Sequence, residues 1–315
     1  MIYFQQPIRP PFRAEIAGAV TPPASLTEAE AKFESGAISA EELEQVRDAA
    51  VENFVNELYE LGFEEVTDGG LRGAIPQEWI LGNTPGKIAF PNIGRLVGWY
   101  NGLLAVTPFG CVARQDLVAP AELYARCKAD GLAGYLSVEQ MGADLVKACV
   151  DAIMALYEVG CRSLLLTDAT WESAEWGELA QINNDVLAAL PADLSVAIRP
   201  RFSALLDDAI IERAGKRMEC EKIRSLYIDV LSKDHLKLLG NVGSKKNVVL
   251  GLVSTLSETP DDAGIVSKLI HDASRMVSME RLSVSNLGSL DSGDLDTQAR
   301  HRKLALLQEL VEENW

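Results

Sequence analysis

Cysteine and histidine are scarce in this chain. Five cysteines and three histidines are spread over 315 residues, with no CxxC, HxC or HxxxH pair. An odd cysteine number without paired spacing argues against a disulfide framework and reads as reduced thiols in a cytoplasmic protein. Long apolar runs are also missing. The longest, such as Val248–Val253, are strand-length, far short of the roughly 20 residues that cross a bilayer. The first residues, MIYFQQPIRPPFR, have no long apolar segment behind their charges and do not read as a signal peptide. Positive charge is outnumbered, leaving a net charge of −17, which excludes nucleic acid and anionic membrane surfaces as partners. No GxGxxG follows a strand, and neither GxxxxGK[ST] nor GxSxG occurs, so nucleotide cradles and a hydrolase elbow find no support.

What is present is an alternation of short β-branched runs with longer amphipathic segments, the rhythm of a parallel sheet with helices outside. Strands are expected at Arg13–Ala17, Glu64–Thr67, Leu103–Thr107, Ser163–Thr167, Ser195–Arg199, Leu226–Val230, Val248–Ser254 and Arg281–Ser285. These fit one (β/α)8 TIM barrel spanning residues 1–315. An open doubly wound sheet is the alternative, because periodicity does not reveal closure. Ser39-x-x-Glu42 is a capping box opening a helix to about Leu61, stopped by Gly62. Ser137-x-x-Gln140 opens a second, stopped by Gly160. Thr259-Pro260, followed by Asp261 and Asp262, reads as the start of a third. The last helix is expected over about Leu295–Glu313, and an apolar face on it could support a homodimer. Residues 71–102, rich in glycine, proline and aromatics, break the alternation and read as a hairpin or lid.

Six segments carry a resemblance. PPFRAEIAG, EEVTDGGLR, GCRSLLLTDATW, SVAIRPRF, VVLGLVST and RLSVSNLGS follow the order and spacing of the strand ends of cobalamin-independent methionine synthases. In that family they read roughly PFRADHVGS, xxTDGExR, GCRxxQxDDTxW, HxCRGNF, VVLGxVxTK and LxxSPxCGF. The resemblance implies a methionine synthase/uroporphyrinogen decarboxylase-like barrel, methyl or alkyl transfer to a thiol, and a hairpin leaning over the mouth from residues 71–102. It also implies a zinc held by His, Glu and two Cys. Here the His and Cys positions align with Val196, Ile198 and Leu287, and only the Glu position keeps a carboxylate, as Asp229. Aliphatic side chains do not ligate zinc. No metal and no cofactor are therefore expected. Ile16, Ala19, Leu165, Thr167 and Leu256 replace other polar family positions, so a largely apolar pocket is expected from Ile16, Leu165, Val196, Ile198, Leu256 and Leu287.

The polar residues left at the inferred strand ends define the candidate site. Asp168 and Asp229 are the candidate acid–base groups. Arg13, Glu15, Asp68, Arg72, Trp79, Trp171, Arg199, Arg201 and Asn286 are the candidate substrate-binding residues. Arg199 and Arg201 suit a carboxylate or phosphate, although each arginine could equally stiffen the rim by pairing with an acid. Cys161, at the start of its strand, is expected buried and inert. Cys111, after the third expected strand, is the thiol expected nearest the mouth. Three readings follow: a zinc-independent enzyme for a small anionic, partly apolar substrate, a non-catalytic binding protein or partner subunit, and a thiol methyltransferase with a displaced metal site.

Overall fold

The computed structural model describes residues 12–73, 86–88, 92–131, 134–255, 257–259, 261–290 and 295–314. Seven parallel strands pair in chain order: β1 Glu65–Val66, β2 Val112–Val118, β3 Ser163–Asp168, β4 Ser195–Pro200, β5 Ile223–Asp229, β6 Asn247–Ser254 and β7 Leu282–Leu287. The helices are α1 Ala24–Glu34, α2 Ala40–Glu60, α3 Ile93–Val106, α4 Pro120–Ala129, α5 Val138–Glu158, α6 Trp176–Ala188, α7 Asp208–Met218, α8 Ala263–Ser274 and α9 Thr297–Asn314. The sheet curls far enough for Arg114 on β2 to donate to the Tyr227 hydroxyl on β5, 2.9 Å away.

The hydrogen-bonded sheet is open, not a closed ring of eight. Arg13–Ala17, the expected first strand, is present as isolated contacts along β7. Ala14 bridges Val284, and Val20 bridges Leu290. Asn286 fastens this segment with both ends of its amide: Oδ1 accepts from the Ala17 nitrogen at 2.9 Å and Nδ2 donates to the Ala17 carbonyl at 2.8 Å. On the β1 side, the Val20 nitrogen donates to the Gly69 carbonyl. Gly69 has φ +62° there, and a Cβ on it would lie 2.7 Å from the Phe54 ring, so the TDGG turn admits only glycine at this position.

The third expected strand is misplaced in the sequence reading. Leu103–Val106 closes α3, whose buried Leu96, Trp99, Tyr100 and Leu103 recur at helical spacing. The strand is VARQDLV, nine residues further on, whose charges conceal it. Two caps stand as expected. Ser39 and Glu42 form the capping box of α2, and the Ser137 hydroxyl accepts from the Gln140 nitrogen at the start of α5. At α8 the cap is Asp262, not Thr259. Asp261 instead accepts from the Ser254 nitrogen and from Lys303 on α9, tying β6 to that helix. On α9 no large apolar side chain is exposed, since Leu304, Leu307 and Leu310 are buried in the core.

The main apolar core lies between sheet and helices. A smaller cluster of Ala17, Leu165, Ala197, Tyr227 and Val249 fills the inside of the curl. Because strand side chains alternate between faces, these residues set the phase of every strand. Val196, Ile198 and Ile16 belong to the outer core, whereas Ala197 and Arg199 point inward. The expected apolar pocket is thus largely wrong: of its residues Leu165 lies inside, and Leu256 is outside the described residues.

Candidate functional site at the mouth of the curled sheet

Beside that small apolar cluster, the inside of the curl carries a buried polar network. Arg114, 1% exposed, uses every N–H it has. Nε and Nη2 donate to Asp116, Nη1 to Glu65 and to the Tyr227 hydroxyl, and Nη2 also to the Ile16 carbonyl. The Tyr227 hydroxyl passes its own hydrogen to Glu15, which pairs with Arg13 at 2.9 Å. Glu65 takes a second hydrogen bond from Ser163. Burial pushes the Glu65 carboxyl above its usual range against the pull of Arg114, with the Glu15 charge adding to the rise. Burial likewise holds the Tyr227 phenol well above its ordinary value, so it stays protonated.

Above this network, at the strand C-termini, Val118, Thr167 and Arg199 are register partners across β2, β3 and β4. Arg199 folds onto Asp229 of β5. Its Nη2 lies 2.9 and 3.0 Å from the two carboxylate oxygens and also donates to the Gly288 carbonyl at 3.0 Å. Gly251 makes room for this pair, since a Cβ there would sit 2.4 Å from Asp229 Oδ1. Arg199 Nη1 makes no hydrogen bond among the described residues. Asp68 ends the β1 side of the mouth and accepts from the Gly70 nitrogen. Burial raises its carboxyl above the ordinary range, and the nearby Asp116 charge adds to the rise.

Several residues expected at the mouth are elsewhere. Asp168, fully buried, faces the helices. It accepts from Thr170, from Asn183 of α6 and from Arg217 of α7, the last at 2.7 Å. Trp171 is buried beneath the Arg217 guanidinium, 4.5 Å from its ring centre. Arg72 reaches back to Asp48 of α2 at 2.5 Å and packs on Gly102 of α3. Asn286 is spent on Ala17, as described above. Arg201 is exposed on the loop after β4, with its backbone held by the Asp168 carbonyl. Trp79 lies outside the described residues. Cys111 precedes β2 and so sits at the opposite end from the mouth, buried, with its thiol raised by burial. Cys161 is buried and pushed up to about 12. Arg114, Asp116, Glu65 and Tyr227 were missed. The alternating charges of VARQDLV were the available signal, since two charges two residues apart on a strand share one face.

Among the described residues, no group of three or more His, Cys, Asp or Glu could hold a metal ion. With the strand phase corrected, the inward positions of β4 are Ala197 and Arg199. The cation beside Asp229 is therefore a guanidinium.

No family model matches the chain. It is similar to two curated proteins of Bacillus subtilis (strain 168), the uncharacterized proteins YxjH and YxjG, each 26% identical over 365 residues and covering 97% and 98% of this chain and 95% and 96% of the relatives. Among solved structures, a Listeria monocytogenes protein named for vitamin-B12-independent methionine synthase superposes with a TM-score of 0.79 at 21% identity, covering 98% of this chain and 99% of that one. A B12-independent methionine synthase from Shewanella sp. W3-18-1, in complex with selenomethionine, gives 0.73 at 14% identity, covering 96% of each. A methyltransferase from Methanosarcina mazei gives 0.57 at 12% identity, covering 93% of each. The chain thus has the α/β fold of the B12-independent methionine synthases.

Proposed function

We propose that the chain is a diverged methionine-synthase-fold enzyme that works without zinc on a small anionic, partly apolar substrate. The observation that carries this reading is the Arg199–Asp229 pair. Its guanidinium is aimed inward at the mouth with Nη1 unspent, beside the half-buried Thr167 and Val118. Asp229 anchors the arginine. Nη1 and the Thr167 hydroxyl then offer donors to a carboxylate or phosphate, with Val118 against the apolar part of the ligand. Asp68 is the acid–base group of the site, because its raised carboxyl holds a proton closer to neutrality than an ordinary aspartate. Of the hairpin expected over residues 71–102, residues 93–102 are instead part of α3, and 74–85 and 89–91 lie outside the described residues.

The test is a thermal-shift and calorimetric screen of small carboxylates and phosphonates, with elemental analysis of the same preparation. Zinc far below one per chain is expected. Arg199→Lys keeps a charge for Asp229 but gives up the planar fork. Losing one charge-assisted contact of about 1.5–3 kcal/mol should weaken an anionic hit by roughly ten- to hundred-fold. Stoichiometric zinc that survives mild chelation would sink the zinc-free reading, and an Arg199→Lys variant with native affinity would sink the site.

A second reading, a non-catalytic binding protein, is favoured by the Arg114 network, which occupies the inside of the curl with its own partners. It expects saturable ligand binding with no turnover under any condition.

Asp68 supplies a separate check. Its pKa is higher in the folded chain, so folding takes up a proton there and stability is lost as pH rises through the folded value. Asp68→Asn removes that loss. Its melting temperature should match or exceed that of the native chain at neutral pH, while any turnover should be lost, because an amide transfers no proton. A variant less stable at pH 7 than at pH 5, relative to native, would contradict this assignment.

A further inference from the structure

The face opposite the mouth, where the strands begin, carries a cavity of about 590 Å³. That volume falls within the usual range for small-molecule sites. Met218 at the end of α7 and Ile223 at the start of β5 lie beneath it, buried in the core, and its accessible apolar surface comes from exposed Ala192 and the lysine stems. Four cations line it, Lys222, Arg224, Lys245 and Lys246, against two carboxylates, Glu219 and Glu221. This local excess of positive charge stands in a chain whose net charge is −17.

None of the four cations forms an ion pair among the described residues. Lys222 donates to the Leu190 carbonyl at 2.7 Å. Lys246, buried, donates to the Cys220 and Ile223 carbonyls at 2.5 and 2.8 Å. Carbonyls orient an ammonium without neutralising it, and two bonds leave one of its three hydrogens over. Burial lowers the Lys246 pKa and the neighbouring Arg224 charge adds to the fall, while Cys220 and Glu221 pull the other way. Arg224 and Lys245 are exposed, and Ser244 lines the same cavity with no hydrogen bond from its hydroxyl among the described residues.

We propose that this cavity binds a phosphate monoester, with the phosphate held by Arg224, Lys245, Lys246 and Ser244 and the organic part lying along Ala192 and the Lys222 stem. Charge matching selects the class. Four cations less two carboxylates leave two positive charges, and a phosphate monoester carries about −1.5 to −2 at neutral pH with three acceptor oxygens. A carboxylate would satisfy half of that charge. The volume leaves room for more than bare phosphate.

The test is isothermal calorimetry on the full-length chain at constant ionic strength, with phenyl phosphate as probe and phenol, inorganic phosphate and sulfate as controls. Saturable one-to-one binding of phenyl phosphate is expected, tighter than any control. The double variant Arg224→Glu, Lys245→Glu alters two exposed side chains that make no hydrogen bond or ion pair among the described residues. It should keep the native melting temperature and bind at least ten-fold more weakly. Arg224→Gln alone gives the same test at smaller amplitude should the double variant be unstable. Arg199→Lys should leave this affinity untouched, which separates the cavity from the mouth. Undiminished binding in the Arg224 variants, loss in Arg199→Lys instead, or affinity that simply grows with polyphosphate length and disappears with salt would each overturn the proposal.

Discussion

Replacing Asp168 by alanine is expected to lower folding stability by about 3–5 kcal/mol, the usual result of orphaning one member of a buried ion pair. Asp168 is 0% exposed and joins four pieces of the fold. Its oxygens take Thr170 after β3, Asn183 of α6 and Arg217 of α7, and the Asn183 carbonyl oxygen in turn accepts from the Ala121 nitrogen in the first turn of α4. Alanine leaves Arg217 charged over the Trp171 ring with its principal counter-ion gone. At roughly 2 °C per kcal/mol for a chain of this size, calorimetry should show the melting temperature falling by about 6–10 °C. The double variant Asp168→Leu, Arg217→Met removes both charges and should recover most of the loss. Additive losses in the double variant, or a single variant with native stability, would show that the hub does not hold these helices.

The same residue shows where the sequence stops being readable. A half-buried strand announces its inward face by alternation, but strands covered on both sides are apolar throughout. Leu164, Leu165 and Leu166 are all buried, and so are Val196, Ala197 and Ile198. Nothing in either run says whether odd or even positions point inward. Arg199 faces the mouth as expected, but the same phase sends Asp168 to the helices and moves Val196 and Ile198 away from the place where metal ligands would stand. The helix caps at Ser39 and Ser137 were legible because their signal is local, a hydroxyl three residues from the amide it accepts from. Asp229 was reached differently, through the resemblance, because it aligns with the family's Glu position. β2 was not. Its Arg114 and Asp116 are stabilised by partners on β1, β5 and the first segment, up to 113 residues away in sequence, and such partners leave no local trace.

Those partners make Arg114 the most consequential side chain inside the curl. Arg114→Leu removes five donors at once and leaves Glu65, Asp116 and the Ile16 carbonyl without their guanidinium. A loss of about 3–5 kcal/mol is expected near neutral pH. Its pH dependence identifies the cause. Burial already raises the Glu65 carboxyl, and Arg114 is the strongest influence pulling it back, so the variant raises it further. A carboxyl with a folded pKa above its unfolded value takes up a proton on folding. Its cost is absent in acid and grows as pH rises through the interval between the two values. Urea titrations should therefore find the variant closest to native near pH 5 and furthest from it at pH 7–8. Adding Glu65→Gln should flatten that slope, because an amide has no charge to strand. A deficit equal at every pH would mean that Arg114 acts by filling space between the strands, and that the buried carboxylates do not depend on it.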